Sequence, residues 1–315
     1  MFLLLVLLAG LASAQQPAPT PPATNLAGGN GAPDDQPTFK THVDEVNLFF
    51  TVTDKRGKFV KDLKQDQFDV LDNSRPPLRI LNFEAQTNLP LRVGLLIDAS
   101  NSIRDRFHFE QQAAIEFLNQ IIRPQSDKAF VLAFDEVPDL QQDFTNDIGK
   151  LTKGVNNIRP GGGTAMFDAV FYACRDKLMK DQANGPVRRA IILVSDGEDN
   201  QSRALRQEAI EMAQRAGVII YTISTNLSES GNKNGGDKHL KMLADATGGQ
   251  AFYPFKLQDL SDAFSEIQGE LRSQYFIAYK PDSFAANGQY RPISVLAKNK
   301  KLRVRAKRGY FAATQ

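Results

Sequence analysis

Five side chains in this sequence share one chemistry. Asp98, Ser100 and Ser102 stand at alternate positions in "GLLIDASNSIRDRF", Thr164 follows a glycine run in "RPGGGTAMFDA", and Asp196 lies in "VSDGEDN". All five are hard oxygen donors, and none of the three stretches puts a competing Lys among them. Two carboxylates brought to roughly 5 Å at an effective dielectric near 20 repel by about 3 kcal/mol, and a divalent cation between them reverses the sign. Hydroxyls then fill neutral positions of an octahedral shell and water takes the rest. That donor set suits Mg2+, with Mn2+ and Ca2+ as alternatives. Because few of the ligands are charged, the ion stays electrophilic and ready to accept a carboxylate from a partner.

These residues need elements that bring them to one place. From Leu91 to Arg272, the apolar strands "LRVGLLID", "KAFVLAFD", "RRAIILVSD" and "GVIIYTIS" alternate with segments of helical spacing. Ala114, Leu118, Ile121 and Ile122 form one apolar helical face, and Leu205, Ala209, Met212 and Ala216 form another. Near-continuous apolar strands between amphipathic helices predict an α/β fold: a Rossmann-like, doubly wound, mostly parallel sheet covered on both faces. In such sheets ligands bind beyond the carboxyl ends of the strands, where the strand order reverses. The Asp98, Thr164 and Asp196 loops all follow apolar or glycine-rich stretches that fit this position.

Both flanks are β-rich. Residues 41–90 read as short strands and tight turns, with "VNLFFTVTD" ending at Gly57 and "QFDVLDNSRPPLRILNFE" giving two strands around Asp72-Asn73-Ser74. Residues 273–315 give "SQYFIAYKP", "QYRPISVLAK" and "KLRVRAKRGYF". The two flanks are expected to join as one small β domain with the α/β domain, residues 91–272, inserted between them. Ahead of them, residues 1–14 read as a secretory signal: an apolar run followed by Ala12-Ser13-Ala14, although no Lys or Arg precedes the run. Residues 15–40, rich in Pro, Ala, Gly and Asn, read as a flexible linker. The expected location is therefore periplasmic or extracellular, with no transmembrane segment in the mature chain.

The 315 residues carry a net charge of +2, with 42% hydrophobic and 23% charged residues. This is ordinary globular composition, and it favours neither nucleic acid nor any other highly charged partner. Cys174, the only cysteine, excludes an internal disulfide. It shares a helical face with Phe167, Val170, Phe171 and Leu178 and reads as an inert core residue.

"DASNS" after a buried strand, Thr164 after a glycine-rich turn and Asp196 in "SDG" together resemble the metal-ion-dependent adhesion site of the von Willebrand factor type A (VWA) domain. Asp-x-Ser-x-Ser alone is weak; in order with Thr164 and Asp196 it is specific. The resemblance covers residues 89–272, and the layout with exported β-rich flanks is similar to bacterial VWFA-related proteins. It implies that Ser100, Ser102 and Thr164 bind Mg2+, that Asp98 and Asp196 act directly or through water, and that the metal bridges to a Glu or Asp of a protein partner.

Other readings compete. Ser100 or Ser102 alone would serve as a helix N-cap. Asp168 fits a first-turn carboxylate or a support behind the ligands, and Glu198 and Asp199 fit solvated loop acids. The glycine run lacks the Gly-Lys-Ser/Thr ending of a phosphate loop; it is expected to give Thr164 freedom to move. Aspartate-nucleophile phosphatases also place Asp after a first strand, but Ser100 stands where their second acid acts as proton donor. His42, His108 and His239 are scattered, and no Gly-x-Ser-x-Gly elbow occurs. An adhesion module rather than an enzyme is therefore expected, with a metal-dependent phosphoesterase or a purely structural scaffold as alternatives. The basic run Lys298–Arg308 alternates with period two, which fits the solvent face of an edge strand better than a strip that binds anionic polymer or membrane headgroups.

Overall fold

The first strand, β1 (Val46–Thr53), buries Val46, Leu48, Phe50 and Val52 at alternate positions. It ends in a turn in which the Asp54 carboxylate accepts the N–H groups of Arg56 and Lys58. Then come β2 (Phe68–Asp72) and β3 (Arg79–Glu84). Asn73 and Ser74, at φ 49° and 66°, make the turn after β2. The computed structural model describes residues 45–85, 89–101, 107–183, 187–226, 235–254 and 256–312. The expected signal (1–14) and linker (15–40) lie outside them, as does Ser102.

The α/β part begins with β4 (Leu91–Asp98), in which all eight residues are buried. It continues through α1 (Phe107–Ile121), β5 (Lys128–Phe134), β6 (Pro138–Thr145), α2 (Ile148–Asn157) and α3 (Met166–Tyr172), which runs into a π-helical turn at Ala173–Leu178. There follow β7 (Arg188–Ser195), α4 (Arg206–Arg215), β8 (Val218–Ser224), α5 (Gly235–Thr247), β9 (Ala251–Phe252) and α6 (Leu257–Leu271). The sheet order is β6-β5-β4-β7-β8-β9, parallel throughout except for β6. One apolar cluster gathers α1, α2 and α6 on one face, and a second gathers α3, α4 and α5 on the other. Each fully buried Leu or Ile of the sheet contributes about 1.5–3 kcal/mol. Gly94 is required at the centre: a Cβ there would lie 2.5 Å from the Phe130 ring.

The doubly wound sheet agrees with the sequence pattern; two details differ. Leu205 is 68% exposed, and the buried face of α4 is Ala209, Ile210 and Ala213. The antiparallel edge strand β6 carries "PDLQQDFT", too polar and half-exposed to show as a strand in the sequence. Cys174 is fully buried among Phe167, Val170 and Leu178, and burial pushes its thiol pKa well up.

The chain then returns to β structure with β10 (Tyr275–Lys280), β11 (Tyr290–Ala297), β12 (Arg303–Ala306) and β13 (Gly309–Phe311). Antiparallel sheets β12-β1-β10-β3 and β13-β11-β2 interleave the two flanks, with Leu48 opposite Ile277 and Val52 opposite Val304. Their common apolar cluster includes Leu48, Phe50, Val70, Tyr275 and Val295. The last basic run is broken between β12 and β13. β12 is an edge strand, but Arg305 is only partly exposed: it bonds to Gln250 and to the buried Glu270. Glu270 also accepts the hydroxyls of Thr51 and Tyr221, at 3.0 Å each, and so ties α6 to β1, β8 and β12. Among the described residues no helix is long and apolar enough to cross a membrane.

Candidate metal site

The strand order reverses at β4, whose neighbours are β5 on one side and β7 on the other. A crevice opens beyond the carboxyl ends of β4 and β7 at such a point. Asp98 ends β4, and Asp196 directly follows β7. Asp98 has no exposed surface, and Ser100, Thr164 and Asp196 are buried as well.

Hydrogen bonds stitch the three loops together. Ser195 donates its hydroxyl to Asp98 Oδ2 at 2.6 Å, joining the ends of β4 and β7. The Ser100 N–H donates to Asp98 Oδ1 at 2.9 Å. The Gly161 N–H donates to Ala99 O at 2.7 Å, and the Asn101 side chain reaches Gly162 O at 3.3 Å, so the glycine run lies against the Asp98 loop. The Thr164 N–H donates to Asn200 Oδ1 at 3.0 Å, while Thr164 O accepts the N–H groups of Asn200 and Gln201. Four of the five expected residues thus occupy adjoining loops at one end of the sheet. The glycine run, expected to free Thr164, is pinned on both sides.

The Asp196 loop is held from beneath. Gly197, at φ 80°, passes so close to Gly236 that a Cβ on it would lie 2.3 Å from Gly236 O. Ser195 Oγ accepts the Gly197 N–H, and Asn226 donates to Asp196 O at 2.7 Å. Asp168 accepts the N–H groups of Arg203 and Ala204 and so supports the loop behind the site. Asp199 differs from its expected role as a solvated acid. It accepts the Phe167 N–H at 2.8 Å, at the start of α3, and the Ser202 hydroxyl at 2.7 Å. Glu198 is exposed.

The electrostatics favour a cation. Burial raises the Asp98 pKa to about 6; hydrogen bonds from Ser195 and Ser100 oppose the shift, and the charge of Asp196 adds to it. None of these neighbours is positively charged. Among the described residues no three His, Cys, Asp or Glu side chains converge to hold a metal. The set here is instead two carboxylates with hydroxyls, which fits a hard divalent ion that keeps part of its water. Sequence reasoning passed over Ser195, although it stands beside Asp196 at the end of an apolar strand, and Asn200, whose role depends on a loop contact.

A family model described as the von Willebrand factor type A domain matches residues 93–270. The chain belongs to this family. No curated protein matches the chain. Among solved structures, a von Willebrand factor type A protein from Catenulispora acidiphila aligns with TM-score 0.50 and 13% identity, over 87% of this chain and 75% of its own. That share exceeds the VWA domain and takes in part of the β flanks. The vWF domain of the type V pili tip protein Mfa5 from Porphyromonas gingivalis aligns with TM-score 0.50 and 16% identity, over 59% of this chain and 96% of its own. At these identities the likeness is one of fold.

Proposed function

We propose that the VWA domain is a metal-dependent protein-binding module of an exported protein, with Asp98, Ser100, Ser102, Thr164 and Asp196 holding Mg2+ and a protein partner supplying an Asp or Glu. The observation that carries this reading is the fully buried Asp98, whose charged neighbour among the described residues is a second carboxylate, Asp196. When bound, Mg2+ would supply positive charge between the two acids and an electrophilic position for the partner's carboxylate. The chain's own part is to hold the oxygens still: Ser195 and the Ser100 N–H fix Asp98, Asn200 fixes the Thr164 backbone, and Asn226 fixes the Asp196 backbone. Preformed loops lose little freedom on binding, which favours affinity. Export rests on the residue 1–14 pattern.

The test is a pull-down from native extracts on the immobilised chain, in Mg2+ and in EDTA, alongside Asp98→Ala. A partner retained in Mg2+ and lost both in EDTA and with the variant is the expected result. A partner held equally under all three conditions contradicts it.

A further inference from the structure

The β part carries a charge pattern that the VWA site does not use. Segments Asp54–Asp69 and Lys298–Arg303 hold nine Lys and Arg residues against four Asp, a local excess above the whole chain's net charge of +2. All nine cations are exposed. Far apart in sequence, the two segments are joined by the fold. Thr53 pairs with Arg303 across β1 and β12, which sets the Asp54–Lys58 turn beside the Lys300-Lys301 turn. The Lys298 N–H donates to Gln67 O at 2.9 Å, which draws in the stretch containing Lys61 and Lys64. At least two of the four acids are engaged locally: Asp54 accepts two backbone N–H groups of its own turn, and Asp69 lies 4.0 Å from Lys298, so that pair adds no net charge to the patch.

From this juxtaposition we infer that the end of the β part formed by these turns docks on an anionic phospholipid surface. Seven of the nine cations are Lys, compact charges without the fork that selects a single phosphate. They sit on turns rather than lining a channel, and the nearby groove contains Asp66, Asp69 and apolar side chains. The one aromatic residue of the turns, Phe59, is half-buried, so the patch lacks the exposed stacking platform of a single-strand nucleic-acid site. Exposed, loop-borne lysines suit a plane of headgroups. The β part meets the α/β part at the amino ends of the parallel strands, where Asn47, Phe49 and Phe276 share a cavity with Val187 and Val218. The candidate metal site lies at the other end of eight-residue strands, about 25 Å away.

The test is co-sedimentation of the chain with phosphatidylcholine vesicles, with and without phosphatidylglycerol. Binding is expected only with phosphatidylglycerol, unaffected by EDTA, and lost at about 1 M salt, where the screening length falls to roughly 3 Å. Each basic side chain near the surface is worth about fivefold, so Lys300→Glu/Lys301→Glu is expected to weaken binding at least about tenfold with an unchanged melting curve. Lys58→Glu/Arg303→Glu provides a second pair, one on the Asp54–Lys58 turn and one at the start of β12. Equal binding to neutral vesicles, full binding by both double variants, or retention by soluble heparin without vesicle binding would overturn the inference. Loss in EDTA would transfer the binding to the metal site and overturn it too.

Discussion

Two buried aspartates, one in each part of the molecule, are completed in different ways. Asp72, at the end of β2, accepts the Arg291 guanidinium at 2.7 Å and the hydroxyls of Tyr279 and Tyr310 at 2.9 Å each. Asp98, at the end of β4, accepts a hydroxyl and an amide, and its charged neighbour is another carboxylate. The first carboxylate is neutralised by the fold and locks four strands of the β part together. The second is anchored by Ser195 and Ser100, and the charge beside it among the described residues is that of an acid, Asp196. Burial of a carboxylate is thus no sign of function by itself; at Asp98 it is the second acid beside it that supports the proposed cation site.

The same substitution should therefore act with opposite sign at the two places. Asp72→Asn leaves Arg291 buried without its counter-charge and should cost about 3–5 kcal/mol. Asp98→Asn should instead stabilise the metal-free protein at neutral pH. Urea denaturation of both variants in EDTA checks this, and a loss of stability in Asp98→Asn breaks the comparison.

The pH dependence sharpens it. The Asp98 pKa is raised in the fold from 3.8 to about 6, so its contribution is fully present below about pH 4 and is lost as pH rises through 6. The loss amounts to about 3 kcal/mol for a shift of about two units. Asp127 provides the reverse case. Burial opposes its charge, but the N–H groups of Leu91 and Arg123 and the Arg272 guanidinium outweigh it and lower its pKa. Its contribution is present at neutral pH and is lost on acidification. Melting curves in EDTA should fall in stability between about pH 4 and 6, and Asp98→Asn should flatten that limb alone.

Two smaller effects concern the scaffold under the site. Gly197→Ala puts a Cβ against Gly236 at a left-handed φ and should cost about 1–3 kcal/mol, with weakened metal response in a melting assay. Asp199→Ala removes the acceptor for the Phe167 N–H at the start of α3 and should cost about 1 kcal/mol, leaving metal response largely intact.

The parallel strands were legible because burial on both faces leaves them continuously apolar, as in "LRVGLLID" and "RRAIILVSD". β6 was not, since an edge strand with one polar face carries no such signal. The joining of the flanks showed only as a matching β character, because the register of Leu48 against Ile277 depends on what lies between them. At the site, residue types and chain order singled out Asp98, Ser100, Ser102, Thr164 and Asp196, of which all but Ser102 lie within the described residues. The Ser195 bond and the Gly197–Gly236 approach could not be read, because each depends on two segments meeting in space.

The most direct test of the central claim is calorimetric titration of Mg2+ into the metal-free chain at neutral pH, with Asp98→Ala and Thr164→Ala in parallel. Saturable one-site binding by the native chain, absent with Asp98→Ala and weakened with Thr164→Ala, is the predicted result. No binding by the native chain, or equal binding by all three proteins, would contradict the account.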